Sequence, residues 1–538
     1  MADKKIDSLN VAKPTGNAGD KCDVEVGAVT ELDETEIFLR ENGVTHSKIQ
    51  ELSQDESRVK ALVRRVDLIL LPLLCITFIL QFIDKQVLSY GAVFDLFTDT
   101  NITSEEYSWL GSLFYFGART SIQQSCDARV EANKKIGFLF AEYPASYLGQ
   151  IFPIGRVCSI FVILWGITTM ATAACYNFQG LAALRFLLGC FESPISPCFF
   201  MIIGTWYIRK DQPFRAGIFY SCNGLGVMIG GIMNYGVGQL KSFQIWKALY
   251  LICGGATLLW GFVLLWLLPQ SITDCKRFTI EERAILIGRV AANQTGILNK
   301  KFKLYQVREA LLDGQVWLLF FFTLFNETIN GGYATFGKLI VKGVVNGDTL
   351  KTVLYAFPSG GFLTFFILSG TFISTKFKDS RTIVMILYLF PTIIGTTLVW
   401  QLPRSNKYGL LLSCYIINSF VASLVLSIQM AGGNVAGYTK RLTSTCFIFI
   451  AYCAGNIIGP HAFVGAESPT YPTGCKTIIA CAAGQVVCVV LLRVLLVRRN
   501  KLRDEAHGAA EVTMNTEDAI LDLTDFEVRH TQNPKKQA

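Results

Sequence analysis

Ala183-Leu184-Arg185-Phe186-Leu187-Leu188-Gly189-Cys190-Phe191-Glu192-Ser193-Pro194 sits inside an apolar segment that runs from about residue 178 to residue 207. Such a segment is long enough to cross a bilayer, which takes roughly 20 apolar residues. Yet it carries an arginine and a glutamate seven positions apart. Seven residues are close to two helical turns, so both side chains share one face, about 10 Å apart along the axis. A charge at membrane depth costs about 2.5 kcal/mol or more, so groups of this kind face a cavity and mark a solute or proton pathway. The plainer alternative is an ion pair that only locks two helices together. Arg185 and Glu192 are the first candidates for function, and the chain reads as a membrane transporter.

The composition agrees. Of 538 residues, 51% are hydrophobic and only 17% charged, and the mean hydropathy is +0.40. An ordinary soluble protein is about 25% charged. The first 57 residues hold 13 acidic and 6 basic side chains and few aromatics. They read as a disordered tail without the basic start, short apolar core and cleavage site of a signal peptide. Most of the 16 cysteines fall in apolar spans such as those around Cys75, Cys158 and Cys190, where they act as small hydrophobes. No metal-ligand spacing, phosphate-binding loop or nucleophile motif stands out, so no cofactor, no nucleic acid and no enzymatic activity is expected.

Further apolar segments begin near Asp67, Tyr107, Ile154, Arg215 and Trp246, and again near Gly314, Leu350, Thr382, Tyr408, Leu442 and Cys475. With the segment from Phe178 that makes twelve spans in two groups of six: an all-α membrane protein. The expected organisation is a cytosolic tail over 1–60, a six-helix half over 61–268, a linker over 269–313, a second half over 314–497 and a tail over 498–538. The linker carries eight Lys and Arg residues. The connections with Arg209, Lys210 and Arg215, with Lys376, Lys378 and Arg381, and with Lys440 and Arg441 fall on the linker's side. The loop from Asp95 to Glu106 has no Lys or Arg. By the positive-inside rule, linker and both termini are cytosolic. The sequon Asn101-Ile102-Thr103 lies outside but too near the membrane for modification to be expected.

One stretch breaks the pattern. Between the apolar runs Tyr107–Gly117 and Phe138–Gln150 stand twenty residues, 118–137, with six charges. A hydrophilic segment cannot lie exposed in hydrocarbon, and without it the flanks make one ordinary span. It reads as a retained intron or mispredicted exon in preference to a functional loop.

Other polar residues sit in apolar runs. Asp84 and Lys85 form a charged pair in the first span; Lys85 suits a substrate carboxylate, and Asp84 either accepts a proton or neutralises Lys85. The first and fourth spans are expected to present all four ionisable groups to one cavity. In the seventh span, Asn326-Glu327-Thr328-Ile329-Asn330-Gly331-Gly332-Tyr333 is polar and glycine-broken, as binding sites in transporters often are. Asn330 and Tyr333, with Glu327, are candidates for substrate hydrogen bonds; a packing contact at the glycines is the alternative. Asn434, Asn456 and His461 are weaker candidates. The fifth span is rich in glycine for close helix contact.

The runs DKQVLSYGAVFDLF, YSWLGSLFYFG, LFAEYPASYLGQIFPIGR, RFLLGCFESPISPCFFMIIGTWY and GNVAGYTKRLTSTCFIFIAYCAGNIIGP resemble fungal allantoate permeases. These form part of the anion:cation symporter branch of the major facilitator superfamily. The resemblance spans about residues 67–497. It implies two six-helix halves, with Lys85 and Arg185 binding an organic anion and Glu192 with Asp84 coupling its movement to a proton. It departs from the family in lysine where other branches carry arginine, in the block 118–137, and in His461 after Gly-Pro, where glutamine is expected. The implied activity is monomeric, proton-coupled uptake across the plasma membrane of an anion such as allantoate, ureidosuccinate, a vitamin carboxylate or a small peptide. An exporter on the same fold is the nearest rival, and the fifth span's lack of the Gly-Pro pair of drug/proton antiporters leans against antiport. A non-transporting sensor would favour long structured tails.

Overall fold

The computed structural model describes residues 55–127, 153–208, 212–240, 243–291, 304–377, 380–433 and 438–507, with residues 42 and 435 besides. Asp55 opens the first long helix, its carboxylate accepting the amides of Ser57 (3.0 Å) and Arg58 (3.2 Å), which satisfies two donors that a helix start leaves open. Helix α1 therefore begins at Glu56 and runs to Val93, well ahead of the apolar run at Asp67 and slightly inside the expected tail. Its charged first turns are used: Arg58 and Arg65 reach Glu281 (2.8 Å) and Glu282 (3.0 Å) in the linker. Thr103 and Glu106 form a reciprocal cap at 2.8 and 3.2 Å, starting α2 over Ser104–Asp127.

Setting aside the short turn Leu96–Thr100, the first half continues with α3 (Ile154–Thr172), α4 (Phe178–Glu192), α5 (Ile195–Trp206), α6 (Gln212–Val237) and α7 (Ile245–Leu267). The linker contains α8 (Ile280–Ala291) and α9 (Leu304–Leu312). The second half follows as α10 (Gly314–Val344), α11 (Thr349–Ala356), α12 (Pro358–Lys376), α13 (Arg381–Gln401), α14 (Lys407–Ile417), α15 (Phe420–Gly433), α16 (Tyr438–Ile458) and α17 (Pro472–His507). α4 with α5, α11 with α12, and α14 with α15 each make one broken rod, so that, leaving the linker helices aside, the described residues form twelve rods. The breaks have local causes. Pro194 and Pro358 supply no amide donor. At the third break the freed carbonyl of Ile417 accepts the Thr392 hydroxyl at 2.9 Å.

Among the described residues, eight helical stretches are long and apolar enough to cross a membrane by length and composition. Of the other rods (α2, α4–α5, α6 and α10), α4 carries Arg185 and Glu192, and α10 carries Glu327, Asn330 and Tyr333. In the atypical block, α2 stays helical through Asp127, and residues 128–137 lie outside the described residues. Asn434 does too.

Among the described residues two large apolar cores organise the bundle, with a small third of Val227, Leu363 and Ile367. One joins Val87, Tyr90 and Trp246 of the first half to Phe336, Val353 and Phe463 of the second. The other gathers Leu70, Trp165 and Phe199 around Phe278 and Ile285 of the linker. Hydrogen bonds across the halves run from Tyr107 to the Thr335 carbonyl (2.9 Å), from Ser112 to the Ile457 carbonyl (2.8 Å) and from Lys342 to the Val93 carbonyl (2.7 Å). All three lie toward the ends away from the linker, where they close the bundle. Near the linker, buried charges tie helices within each half. Arg215 grips Asp67 at 2.8 and 3.0 Å, and Asp313 takes Arg499 at 2.6 Å and Lys440 at 3.1 Å. Burial acts to raise the Asp313 carboxyl, but its Arg499 hydrogen bond and the Lys440 charge outweigh it and hold the group below its ordinary range.

Candidate functional site

The face of α4 that turns inward is Leu181, Arg185, Leu188, Gly189 and Glu192, the spacing that a 3.6-residue helix requires of one stripe. Asn177 caps the start by accepting the Gly180 amide at 3.0 Å, which fixes the helix's register. Arg185 and Glu192 thus stand two turns apart on one face, but they have different partners. The Arg185 guanidinium donates to the Tyr250 hydroxyl on α7 at 2.5 Å and lies 5.7 Å from its ring centroid. Glu192 meets Lys85 of α1, with Nζ 3.5 Å from Oε1.

In this pair the Glu192 side chain is 1% exposed and that of Lys85 is 28% exposed. Lys85 is therefore the group that a solute can reach, while its counter-ion is sealed. The rings of Phe82 and Phe114 flank the ammonium, with centroids at 5.5 and 5.9 Å, which favours a cation there.

Asp84 is not part of this pair. Successive helical residues point about 100° apart, so Asp84 looks between α3 and α7, where Oδ2 accepts Thr257 at 3.4 Å and Thr169 at 3.5 Å. These bonds are at the long limit, and Oδ1 is buried with no hydrogen bond among the described residues. The expected single cluster of four ionisable groups is thus three arrangements: Lys85 with Glu192, Arg185 with Tyr250, and Asp84 among threonines. Glu192, not Asp84, neutralises Lys85.

In the second half, Glu327 Oε2 accepts the side-chain amides of Asn456 (2.6 Å) and Asn330 (3.0 Å), and Asn330 also donates to Asn456 Oδ1 at 3.0 Å. Tyr333 donates to the Cys414 carbonyl at 2.6 Å. The Asn330 amide and the Tyr333 hydroxyl are thereby engaged between helices, and the glycines beside them pack. A Cβ at Gly331 would stand 2.7 Å from the Asn456 carbonyl oxygen, and one at Gly455 would stand 2.5 Å from the Leu324 carbonyl oxygen and 2.8 Å from the Thr328 nitrogen. Gly455→Ala is therefore expected to push α16 off α10, break the Glu327–Asn456 bond and destabilise the protein by about 1–3 kcal/mol. Thermal unfolding in detergent reads this as a lowered midpoint; an unchanged midpoint refutes it. His461 lies in a 3-10 turn after α16, with Nε2 3.3 Å from the Ser112 hydroxyl and its ring 4.7 Å from that of Trp109. It sits at the seam of the halves.

Sequence reasoning passed over Lys338, a buried ammonium in α10 that reaches Gln86 and Ser89 of α1. Lys338, one of two lysines in the otherwise apolar run 334–344, carries the same kind of signal as Arg185.

Twelve rods in two halves with charged groups buried between them define a secondary transporter of the membrane. The chain belongs to the Major Facilitator Superfamily, which its residues 74–460 match. It is 32% identical over 479 residues to an uncharacterized transporter of Schizosaccharomyces pombe, covering 88% of this chain and 89% of that one. It is 28% identical over 482 residues to the allantoate permease of Saccharomyces cerevisiae, covering 86% and 84%. Among solved structures, a D-xylose-proton symporter superposes with a TM-score of 0.56 at 13% identity, covering 78% of this chain and 96% of that one. At that identity the likeness is one of fold.

Proposed function

We propose that this transporter carries a small organic anion together with a proton, inward across the fungal plasma membrane, as a monomer with both termini cytosolic. The Lys85–Glu192 pair supports the reading above all. Its lysine is partly accessible and its carboxylate sealed, so an anion and Glu192 compete for one ammonium. A proton on Glu192 frees Lys85 for a substrate carboxylate; when the anion leaves, Lys85 recaptures Glu192 and the proton departs. Arg185, on the same inward face, adds a second positive charge, and its guanidinium fork suits a carboxylate. Asp84, with an unpartnered oxygen, is a second candidate proton carrier. In the second half, Asn330 and Tyr333 contribute to the cargo site, with His461 secondary. The similarity to an allantoate permease agrees with an anionic cargo.

The test is uptake of radiolabelled allantoate, ureidosuccinate, nicotinate and a dipeptide by cells expressing the full chain. At least one is expected to accumulate faster at about pH 5 than at about pH 7.5. Uptake that ignores pH refutes the coupling, and export of preloaded anion against its gradient refutes the direction.

A further inference from the structure

Lys338 is, with Arg185, a buried cation held by neutral groups. Its side chain belongs to the second half but reaches into the first. It donates to Ser89 Oγ at 2.7 Å and to Gln86 Oε1, and its Nζ lies 4.2 Å from the centroid of the Tyr90 ring. The residue is only 8% exposed. Its partners are neutral, and among the described residues no carboxylate lies within ion-pair distance. Lys85 has Glu192 and Lys440 has Asp313 and Glu309. A buried charge without a counter-ion is costly, and an ammonium with three donors has room for a further acceptor.

Two further features bear on what Lys338 could meet. Lys342, one turn further out on α10, lines a cavity of about 350 Å³ at the seam of the halves, with Ala92, Phe97, Ser104, Leu339 and Tyr471. On the other side, Ser89 is four residues from Lys85 on α1, hence on the same face with anchor points about 6 Å apart. Lys338 is thus one turn from the cavity-lining Lys342 on α10 and touches Gln86 and Ser89, one and four residues beyond Lys85 on α1.

We propose that Lys338 is a second cationic subsite for the cargo, filled through the seam cavity, and that the cargo is a dicarboxylate with one carboxylate on Lys338 and the other on Lys85. Binding replaces the neutral contacts of Lys338 with Gln86 and Ser89 by a charge-assisted one, and the ligand then ties α10 to α1 across the halves. The inference rests on the reading of this protein as an anion carrier.

The experiment measures binding of malonate, succinate and glutarate, each beside its monoamide, to the purified full chain by ligand-induced thermal shift. The wild type is expected to bind one diacid at least tenfold more tightly than its monoamide. Lys338→Gln should bring that ratio near one by weakening the diacid while leaving the monoamide unchanged, and Lys338→Arg should keep part of the preference. A general loss of fold would weaken both ligands together, so the ratio separates recognition from structure. Monoamides that bind as well as diacids, or a preference that survives in Lys338→Gln, overturn the subsite. If the wild type binds no carboxylate here and none in the uptake panel, the anion-carrier reading itself falls, and the subsite with it.

Discussion

Glu192→Gln is expected to abolish pH-driven accumulation of substrate while leaving exchange of labelled for unlabelled substrate intact. Glutamine keeps the shape of the buried side chain but holds no exchangeable carboxyl proton. In the wild type Lys85 stands 3.5 Å from Glu192, and in the proposed cycle the site resets only by restoring that pair and giving up the proton. With glutamine in place, the ammonium stays available to the anion on either side, so exchange continues. Net uphill transport loses its driving force. For one proton per anion, each pH unit across the membrane drives about tenfold accumulation, equal to about 1.4 kcal/mol. Vesicles at about pH 7.5 inside and about pH 5 outside would thus accumulate substrate up to about 300-fold through the wild type and to about equality through the mutant. Counterflow in preloaded vesicles checks that the mutant still cycles. Accumulation retained by Glu192→Gln would move the coupling to Asp84, whose carboxyl lies among Thr169 and Thr257.

Lys85→Ala is expected to eliminate anion binding and to destabilise the protein as well. Removing the ammonium leaves Glu192 as a sealed carboxylate with no ion partner, a change that costs about 3–5 kcal/mol in buried pairs. The two losses separate in a double mutant. Lys85→Ala with Glu192→Gln removes the unpaired charge and should recover most of the lost thermal stability, yet it should still bind no carboxylate. Lys85→Arg should retain part of both, because charge matters most and the guanidinium's planar fork only changes geometry. Unfolding midpoints and anion-induced shifts in the four proteins provide the check. Anion affinity unchanged in Lys85→Ala would reduce Lys85 to a structural counter-ion.

The sequence already displays the buried charges because hydrocarbon punishes them. Asp84, Lys85, Arg185, Glu192 and Glu327 stand out in apolar runs, and a helix of 3.6 residues per turn puts Arg185 and Glu192 on one face, as found. Lys338 was legible by the same criterion but sits near the outer end of its span, where a lysine passes for a boundary residue. The glycines of the seventh span signalled an interruption, yet α10 is continuous from Gly314 to Val344. Their purpose is to admit Asn456 and its backbone, which no local pattern in the seventh span reveals.

Apolar segment lengths, the basic linker and the family motifs therefore determined by themselves the membrane class, the twelve rods and the two halves. Those properties follow from composition and periodicity along one chain. The partnership of charges was decided only in three dimensions. Adjacent residues Asp84 and Lys85 point into different helix interfaces, one toward Thr169 and Thr257 and the other toward Glu192 more than a hundred positions away. A helix fixes the direction of each side chain, but only the packing of its neighbours determines what stands there.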